Sequence, residues 1–108
     1  MTLLDKESVK RAEKSLKDFD SKQNIITLNT SARTALEAAS SLDCEVGAIV
    51  KSLLFKTDNT FILCLVAGDK KVSLKKIKEI LKIKDASMAS AEEVKSMTGY
   101  TIGGVSPV

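Results

Sequence analysis

The stretch GAIVKSLLFKTDNTFILCLVAG, residues 47–68, decides the fold that this sequence predicts. Two apolar runs, KSLLFK and FILCLVA, flank the polar segment TDNT, and this order predicts a β-hairpin with a four-residue loop. The second run, residues 61–67, is apolar at every position, so we expect both of its faces to be covered. Helices must then lie across the sheet on at least one side, and the hairpin therefore predicts a layered α/β domain.

Before the hairpin, the sequence predicts two helices, a short strand and a helical turn. Residues 5–19 carry apolar side chains at helical spacing, which predicts an amphipathic helix. NIITLN, residues 24–29, is typical of a short strand. Thr34 followed by Glu37 forms a capping-box pattern that predicts the start of a second helix. CEVGAIV, residues 44–50, predicts a helical turn that leads into the hairpin. The apolar positions of the first helix are Val9, Ala12, Leu16 and Phe19.

After the hairpin, the sequence predicts two further helices with a strand between them. Ser73 is a candidate N-cap, and ASMAS, residues 86–90, is a candidate strand. Ser90 with Glu93 forms a second capping box, and Gly99 is placed to end the helix that follows. The helix after Ser73 is predicted to bury a stripe made of Leu74, Ile77, Ile80 and Leu81.

Composition predicts one soluble globular domain over residues 1–108. The chain is 44% apolar and 29% charged, with a formal net charge of +3. No stretch approaches the ~20 consecutive apolar residues of a membrane span, and the amino terminus lacks the pattern of a secretory signal. We therefore expect a cytoplasmic protein without a membrane partner.

The chain contains no histidine, which removes the commonest general base and the commonest metal ligand. Cys44 and Cys64 are far apart and lack the spacing of metal ligands, so two reduced, buried thiols are expected. Cys64 lies within an apolar run, where nothing beside it would lower its pKa, which favours a core residue over a nucleophile. No metal or cofactor is predicted, and any catalysis must use other groups.

Lys51 is the first candidate functional residue. Strand alternation places it on the same face as Leu53 and Phe55, at the margin of an apolar core. One interpretation is that the methylenes pack on apolar neighbours while the ammonium reaches water. The other is a cation in the wall of a pocket, where partial desolvation suits it to a phosphate or a polar ester.

The glycine loop TIGGVSPV near residue 108 is the second candidate. Consecutive amides in such a loop can hold an anion or polarise a carbonyl, whereas the alternative is a simple connection. The lysine-rich segment DKKVSLKKIKEILKIK, residues 69–84, is the third. Its helix could lie against a nucleic-acid backbone or could be a solvated face. Asp69, just after the strand, could be a site carboxylate or a turn residue, and the turn is favoured.

Taken in order, VGAIVKSLLFK, FILCLVAGDKKVSLKKI and ASAEEVKSMTGYTIGGVSP resemble the YbaK/EbsC family of aminoacyl-tRNA deacylases. This family is related to the editing insertion of bacterial prolyl-tRNA synthetases, and the resemblance spans about residues 24–107. It implies an α/β fold with a mixed, mostly antiparallel sheet and helices packed on it. Family domains continue beyond this loop, so the resemblance also implies that the C-terminal part of the domain is missing after Val108.

The resemblance implies a freestanding trans-editing hydrolase that removes alanine or cysteine from tRNA for proline. Water would attack the aminoacyl ester with help from a ribose hydroxyl of the substrate, without metal, cofactor or covalent intermediate. Lys51 corresponds to the essential lysine of the family. The partners implied are the aminoacylated 3′ end of tRNA and prolyl-tRNA synthetase. The substrate-binding loop would comprise Gly103, Gly104, Val105, Ser106 and Pro107, and the lysines that could contact tRNA are Lys70, Lys71, Lys75 and Lys76.

Two other interpretations remain open from the sequence. The chain could be a non-catalytic tRNA- or protein-binding module derived from this family, which would bind tRNA in a salt-sensitive manner without turnover. It could also be the editing insertion of a synthetase, although the chain begins at Met1 with its own predicted helix.

Overall fold

The predicted hairpin forms the centre of the sheet in the computed structural model, which describes residues 6–28 and 32–108. Strand β1 is Val50–Thr57, β2 is Phe61–Ala67 and β3 is Ala86–Met88. The order across the sheet is β2-β1-β3, and β1 runs antiparallel to both neighbours. Three residues connect the hairpin strands rather than the predicted four, because Thr57 still belongs to β1. Its N–H donates to the Thr60 carbonyl at 2.8 Å and closes the turn.

The described part of the chain contains four α-helices. They are α1 (Glu7–Phe19), α2 (Ala35–Leu42), α3 (Leu74–Leu81) and α4 (Ala91–Thr98). A short 3-10 helix, Val46–Ala48, leads into β1, as the sequence predicts. The described elements therefore give the expected α/β fold with an antiparallel sheet.

Side chains at the predicted caps begin three of the helices. Ser73 and Ser90 each accept the N–H of the third residue after them, and the Glu93 carboxylate accepts the Ser90 N–H at 2.9 Å. The Ser90 capping box is thus complete. At α2 only half of the box forms, because the Glu37 carboxylate accepts the N–H of Arg33 rather than that of Thr34.

The core lies at the centre of the sheet. Leu54 is 8% exposed and packs with Ala89 and Val94, while Phe61 and Val105 cover this cluster. Phe55 is 2% exposed and points to the opposite face, because neighbouring strand residues alternate. Both faces of β1 are therefore covered at this point.

Two sequence predictions about burial are wrong, and one apolar position of the first helix is exposed. Leu63 and Leu65 leave one face of β2 open, and Leu65 is 56% exposed. In α3 only the first half of the predicted stripe is half-buried, since Ile80 and Leu81 are exposed. Phe19 at the end of α1 is 80% exposed. No element of the described chain covers these side chains.

Two further predictions need correction. Residues 24–28 form no strand, and Asn29, the last residue of the predicted strand, lies outside the described residues. Cys44 is exposed rather than buried, Cys64 is half-buried, and both thiols are free. None of the helices within residues 6–28 and 32–108 is long and apolar enough to cross a membrane.

Candidate active site

A cavity of about 420 Å³ lies beside the first half of β1 and contains the predicted lysine. The beginning of α2 forms one wall, and the C-terminal loop forms another. Its lining includes five consecutive residues, 49–53, so the cavity follows the strand itself. The other lining residues are Ala32, Arg33, Thr34, Ala35, Ala38, Gly103 and Val105.

The cavity exists because β3 covers only part of the edge of β1. The ladder with β3 involves residues 55–57, and one more bond, from the Ala89 N–H to the Leu54 carbonyl at 3.1 Å, extends it. Among the described residues no strand pairs with residues 50–53 on that side. The same bond shows that the backbone groups of Leu54 face this edge. Those of Ser52, two residues earlier, therefore point toward the cavity.

Lys51 reaches the loop that follows β2. Its side chain is half-buried, and its Nζ donates a hydrogen bond to the Lys70 carbonyl at 2.8 Å. A lysine ammonium carries three N–H donors, so this bond uses one of them. The carbonyl therefore fixes the direction of the side chain and leaves donor capacity in the cavity wall.

The five predicted loop residues divide between two cavities. Gly103 and Val105 line the cavity of Lys51, whereas Gly104, Ser106 and Pro107 line a second cavity of about 360 Å³ between the loop and α1. Val105 contributes to both. Gly103 has φ +82°, and a Cβ built there would meet nothing within 4 Å. The positive φ, rather than crowding, is what requires glycine at this position.

The four predicted tRNA-contact lysines are all exposed. Lys70 and Lys71 follow β2, and Lys75 and Lys76 lie in the first turn of α3. Since the Lys70 carbonyl accepts the bond from Lys51, this basic segment begins at the cavity wall. Between residues 70 and 84 the chain has seven lysines against one acid, Glu79.

Sequence reasoning missed two polar residues of the cavity, Arg33 and Thr34. The capping-box pattern predicts only a helix cap at Thr34, and no pattern indicates a role for Arg33. The sequence places them before α2, and only the packing of α2 near the end of β2 brings them to β1. A Cβ on Gly68, just after β2, would lie 3.0 Å from the Cβ of Ala35, which shows how closely the two segments approach.

The half-buried Cys64 is unlike an activated nucleophile, because burial raises the pKa of its thiol. Its backbone pairs with Leu53, and its side chain lies on the sheet face shared with Lys51. Within the described residues, no three histidine, cysteine, aspartate or glutamate side chains are grouped in a way that could hold a metal ion.

The fold and this cavity define a layered α/β domain with a lysine and a glycine loop at an open strand edge. The domain is similar to the crystal structure of a candidate trans-editing enzyme for prolyl tRNA synthetase. The TM-score is 0.88 at 36% identity, over 95% of this chain and 66% of that one. The fold predicted from the sequence is therefore confirmed.

Two curated relatives are proline-tRNA ligases. The ligase of Caldicellulosiruptor bescii is 38% identical over 87 residues, which is 81% of this chain. That of Thermosipho africanus is 36% identical over 93 residues, or 85% of this chain. The matches span 15% and 17% of the lengths of those ligases. Residues 29–108 match the aminoacyl-tRNA editing domain, and the chain belongs to this family.

Proposed function

We propose that this protein is a trans-editing hydrolase that removes alanine or cysteine from mischarged tRNA for proline. The observation that carries the proposal is the meeting of Lys51 and Gly103 in one cavity at an open strand edge. Membership of the editing-domain family supports the reaction class, and the proline-tRNA ligase relatives support the choice of tRNA. In this proposal prolyl-tRNA synthetase is the partner that supplies part of the tRNA recognition.

The proposed reaction is hydrolysis of the ester between the amino acid and the terminal ribose. Water adds to the ester carbonyl, the bond from the acyl carbon to the ribose oxygen breaks, and that oxygen leaves with a proton. The products are the free amino acid and a tRNA with a free 3′ end. A ribose hydroxyl of the substrate assists the attacking water, which fits a chain without histidine.

The cavity offers donors for the negative charge that develops on the carbonyl oxygen. The Lys51 ammonium has N–H groups beyond the one bonded to Lys70, and the backbone N–H of Ser52 points to the open edge of β1. Donors held in advance at such a position stabilise the transition state, and one of them typically accounts for ~100- to 1,000-fold in rate.

Selection among amino acids follows from the size of the cavity and its apolar walls. Ala35, Ala38, Ile49 and Val105 contribute apolar surface. Apolar walls discriminate only ~10- to 200-fold per methylene, so the cavity admits small side chains and excludes proline mainly by steric clash.

The tRNA backbone would lie along Lys70, Lys71, Lys75 and Lys76. These exposed lysines continue from the cavity wall, so the acceptor end can enter the cavity while its phosphates contact this segment. Binding should therefore weaken as salt rises, because each neutralised phosphate releases counterions.

The decisive experiment compares two lysines of β1. Lys51→Met removes the cavity ammonium, and we expect kcat/KM for Ala-tRNA(Pro) or Cys-tRNA(Pro) to fall by ~100-fold or more. The matched control is Lys56→Met, since Lys56 lies on the same strand but pairs with Glu93 at 3.2 Å, away from the cavity. Equal activity of both variants would refute the role of Lys51.

The exposed basic segment also supports a second function, a non-catalytic tRNA-binding module. A panel of mischarged tRNAs separates the two proposals. The binding module predicts salt-sensitive tRNA binding without release of any amino acid, whereas the hydrolase predicts release from at least one tRNA of the panel. The same panel identifies the amino acid removed.

A further inference from the structure

Helix α1 contacts the segment that leads into the glycine loop through Arg11. The Arg11 Nη2 donates a hydrogen bond to the Gly99 carbonyl at 2.7 Å. The same guanidinium lies over the ring of Tyr100, with 4.8 Å between Cζ and the ring centroid. One side chain therefore holds two consecutive residues by two different interactions, a charge-assisted hydrogen bond and a cation–π contact.

Gly99 has a backbone conformation and a lack of side chain that leave space for Arg11. It ends α4 in the left-handed conformation, with φ +78°, and its N–H donates to the Lys95 carbonyl at 2.9 Å. A Cβ at Gly99 would lie 2.5 Å from the Arg11 Nη1, so the glycine also leaves the space that the guanidinium occupies. Lys95 reaches the same Gly99 carbonyl from within α4, at 3.4 Å.

The apolar side chains of α1 do not close tightly on the loop. The second cavity, of about 360 Å³, separates Val9, Ala12 and Leu16 from Gly104–Val108. Bonds within the loop are short-range, such as the one from the Gly104 N–H to the Thr101 carbonyl at 2.9 Å. Among the described residues, Arg11 thus provides a polar connection between α1 and the start of the loop.

We propose that Arg11 is a positioning residue for the substrate-binding loop. By fixing Gly99 and Tyr100, it sets the direction in which residues 101–108 leave α4, and so the places of Gly103 and Val105 in the Lys51 cavity. This inference rests on the proposed function for its effect on catalysis. Arg11 lies outside residues 29–108, which match the editing-domain family.

The first test needs no substrate. Tyr100 is the only tyrosine and the chain has no tryptophan, so tyrosine fluorescence reports on this contact directly. In Arg11→Ala we expect acrylamide quenching of Tyr100 to rise about twofold and amide exchange of residues 101–105 to speed up about tenfold. Arg11→Lys keeps a cation over the Tyr100 ring. It should therefore bring both the quenching and the amide exchange most of the way back to the wild-type values.

The matched control is Lys14→Ala. Lys14 lies on the same helix and pairs with Asp18 at 2.9 Å on the exposed surface, so its loss removes one positive charge without touching the loop. We expect wild-type quenching and exchange in this variant. If Arg11→Ala behaves like Lys14→Ala in both measurements, the proposal is overturned.

The second test measures deacylation. A loop that is less ordered before binding lowers the fraction of the protein that is ready to bind substrate. Arg11→Ala should therefore raise KM about tenfold while kcat stays within about threefold. An unchanged KM alongside altered quenching would refute the positioning role. If the wild type releases no amino acid, the proposed function fails, whereas the Arg11 proposal is then decided by quenching and exchange alone.

Discussion

The two halves of β1 both pair with β2, but they differ in their pairing on the opposite side and in their burial. Residues 54–57 are held from both sides of the strand, and three of these four residues are buried. Among the residues that the structure describes, residues 50–53 pair with β2 alone, and none of the four is buried. The first group supports the core, while the second lines a cavity and carries Lys51.

This difference shows how one strand can support a site and also form part of it. Backbone groups within a ladder are satisfied by their partner strand and cannot bind a ligand. The open half keeps the Ser52 N–H and carbonyl directed toward the cavity, and the paired half keeps the strand in place. Three substitutions, in order of decreasing expected effect, test this division.

The largest effect is expected from Phe55→Ala in the paired half. Phe55 is among the most buried side chains of the described core, and its truncation leaves a cavity, so the free energy of unfolding should fall by ~3–5 kcal/mol. Urea unfolding followed by far-UV circular dichroism measures this change. The matched control is Phe19→Ala, which should stay within ~0.5 kcal/mol because Phe19 is exposed. Similar losses in both variants would contradict the described core.

An intermediate effect on the free energy of unfolding is expected when the contact between Lys56 of the paired half and Glu93 of α4 is removed. The backbone N–H of Ser90 and then the Lys56 ammonium lower the pKa of Glu93 below its ordinary value of 4.5. The folded state therefore resists protonation more than the unfolded chain does. The stabilisation is complete above pH 4.5 and disappears as the pH falls through the lower pKa of the folded state.

Unfolding of Glu93→Gln across pH 3–7 checks this pH dependence. We expect the variant to be less stable than the wild type at pH 7, with a difference that narrows below pH 4.5. The control is Glu92→Gln, which removes a neighbouring carboxylate and leaves the Ser90 and Lys56 contacts in place. A difference that stays constant down to pH 3 would argue against these contacts.

The smallest effect on the free energy of unfolding is expected in the part of β2 that lies opposite residues 50–53. Leu65 pairs with Ser52 and lies on the uncovered face of β2. Leu65→Thr keeps strand propensity and exposes no core, so the free energy of unfolding should change by no more than ~0.5 kcal/mol. A loss of several kcal/mol would mean that this face is covered in solution, and analytical ultracentrifugation would then test for association.

The parts of the fold that the sequence predicted correctly depend on neighbours along the chain. The hairpin, the N-caps Thr34, Ser73 and Ser90, and the stop at Gly99 follow from residue types at fixed short spacings. Burial was predicted less well. FILCLVA is apolar throughout, yet Leu63 and Leu65 are exposed, because covering them requires elements distant in sequence to pack there.

The candidate site also contains some features that the sequence predicts and others that it does not. Strand alternation predicts a role for Lys51 and the consecutive glycines predict one for the loop, while the order of the motifs indicates the family. The capping pattern identifies Thr34 only as the start of a helix, and neither Arg33 in the cavity nor Arg11 at Gly99 carries a sequence signal of its own. Arg11 is separated from Gly99 by 88 positions, so no local pattern could join them.

The sequence by itself determined the secondary structure around the hairpin, the absence of histidine and membership of the editing-domain family. Local hydrogen bonding and side-chain alternation are enough to determine the secondary structure. Residue identity is enough to determine the composition and the family. Only the tertiary structure decided that β3 stops short of residues 50–53, that the loop divides between two cavities and that α1 holds its start. These features depend on where separate elements come to rest against one another, which is set by long-range packing rather than by spacing along the chain.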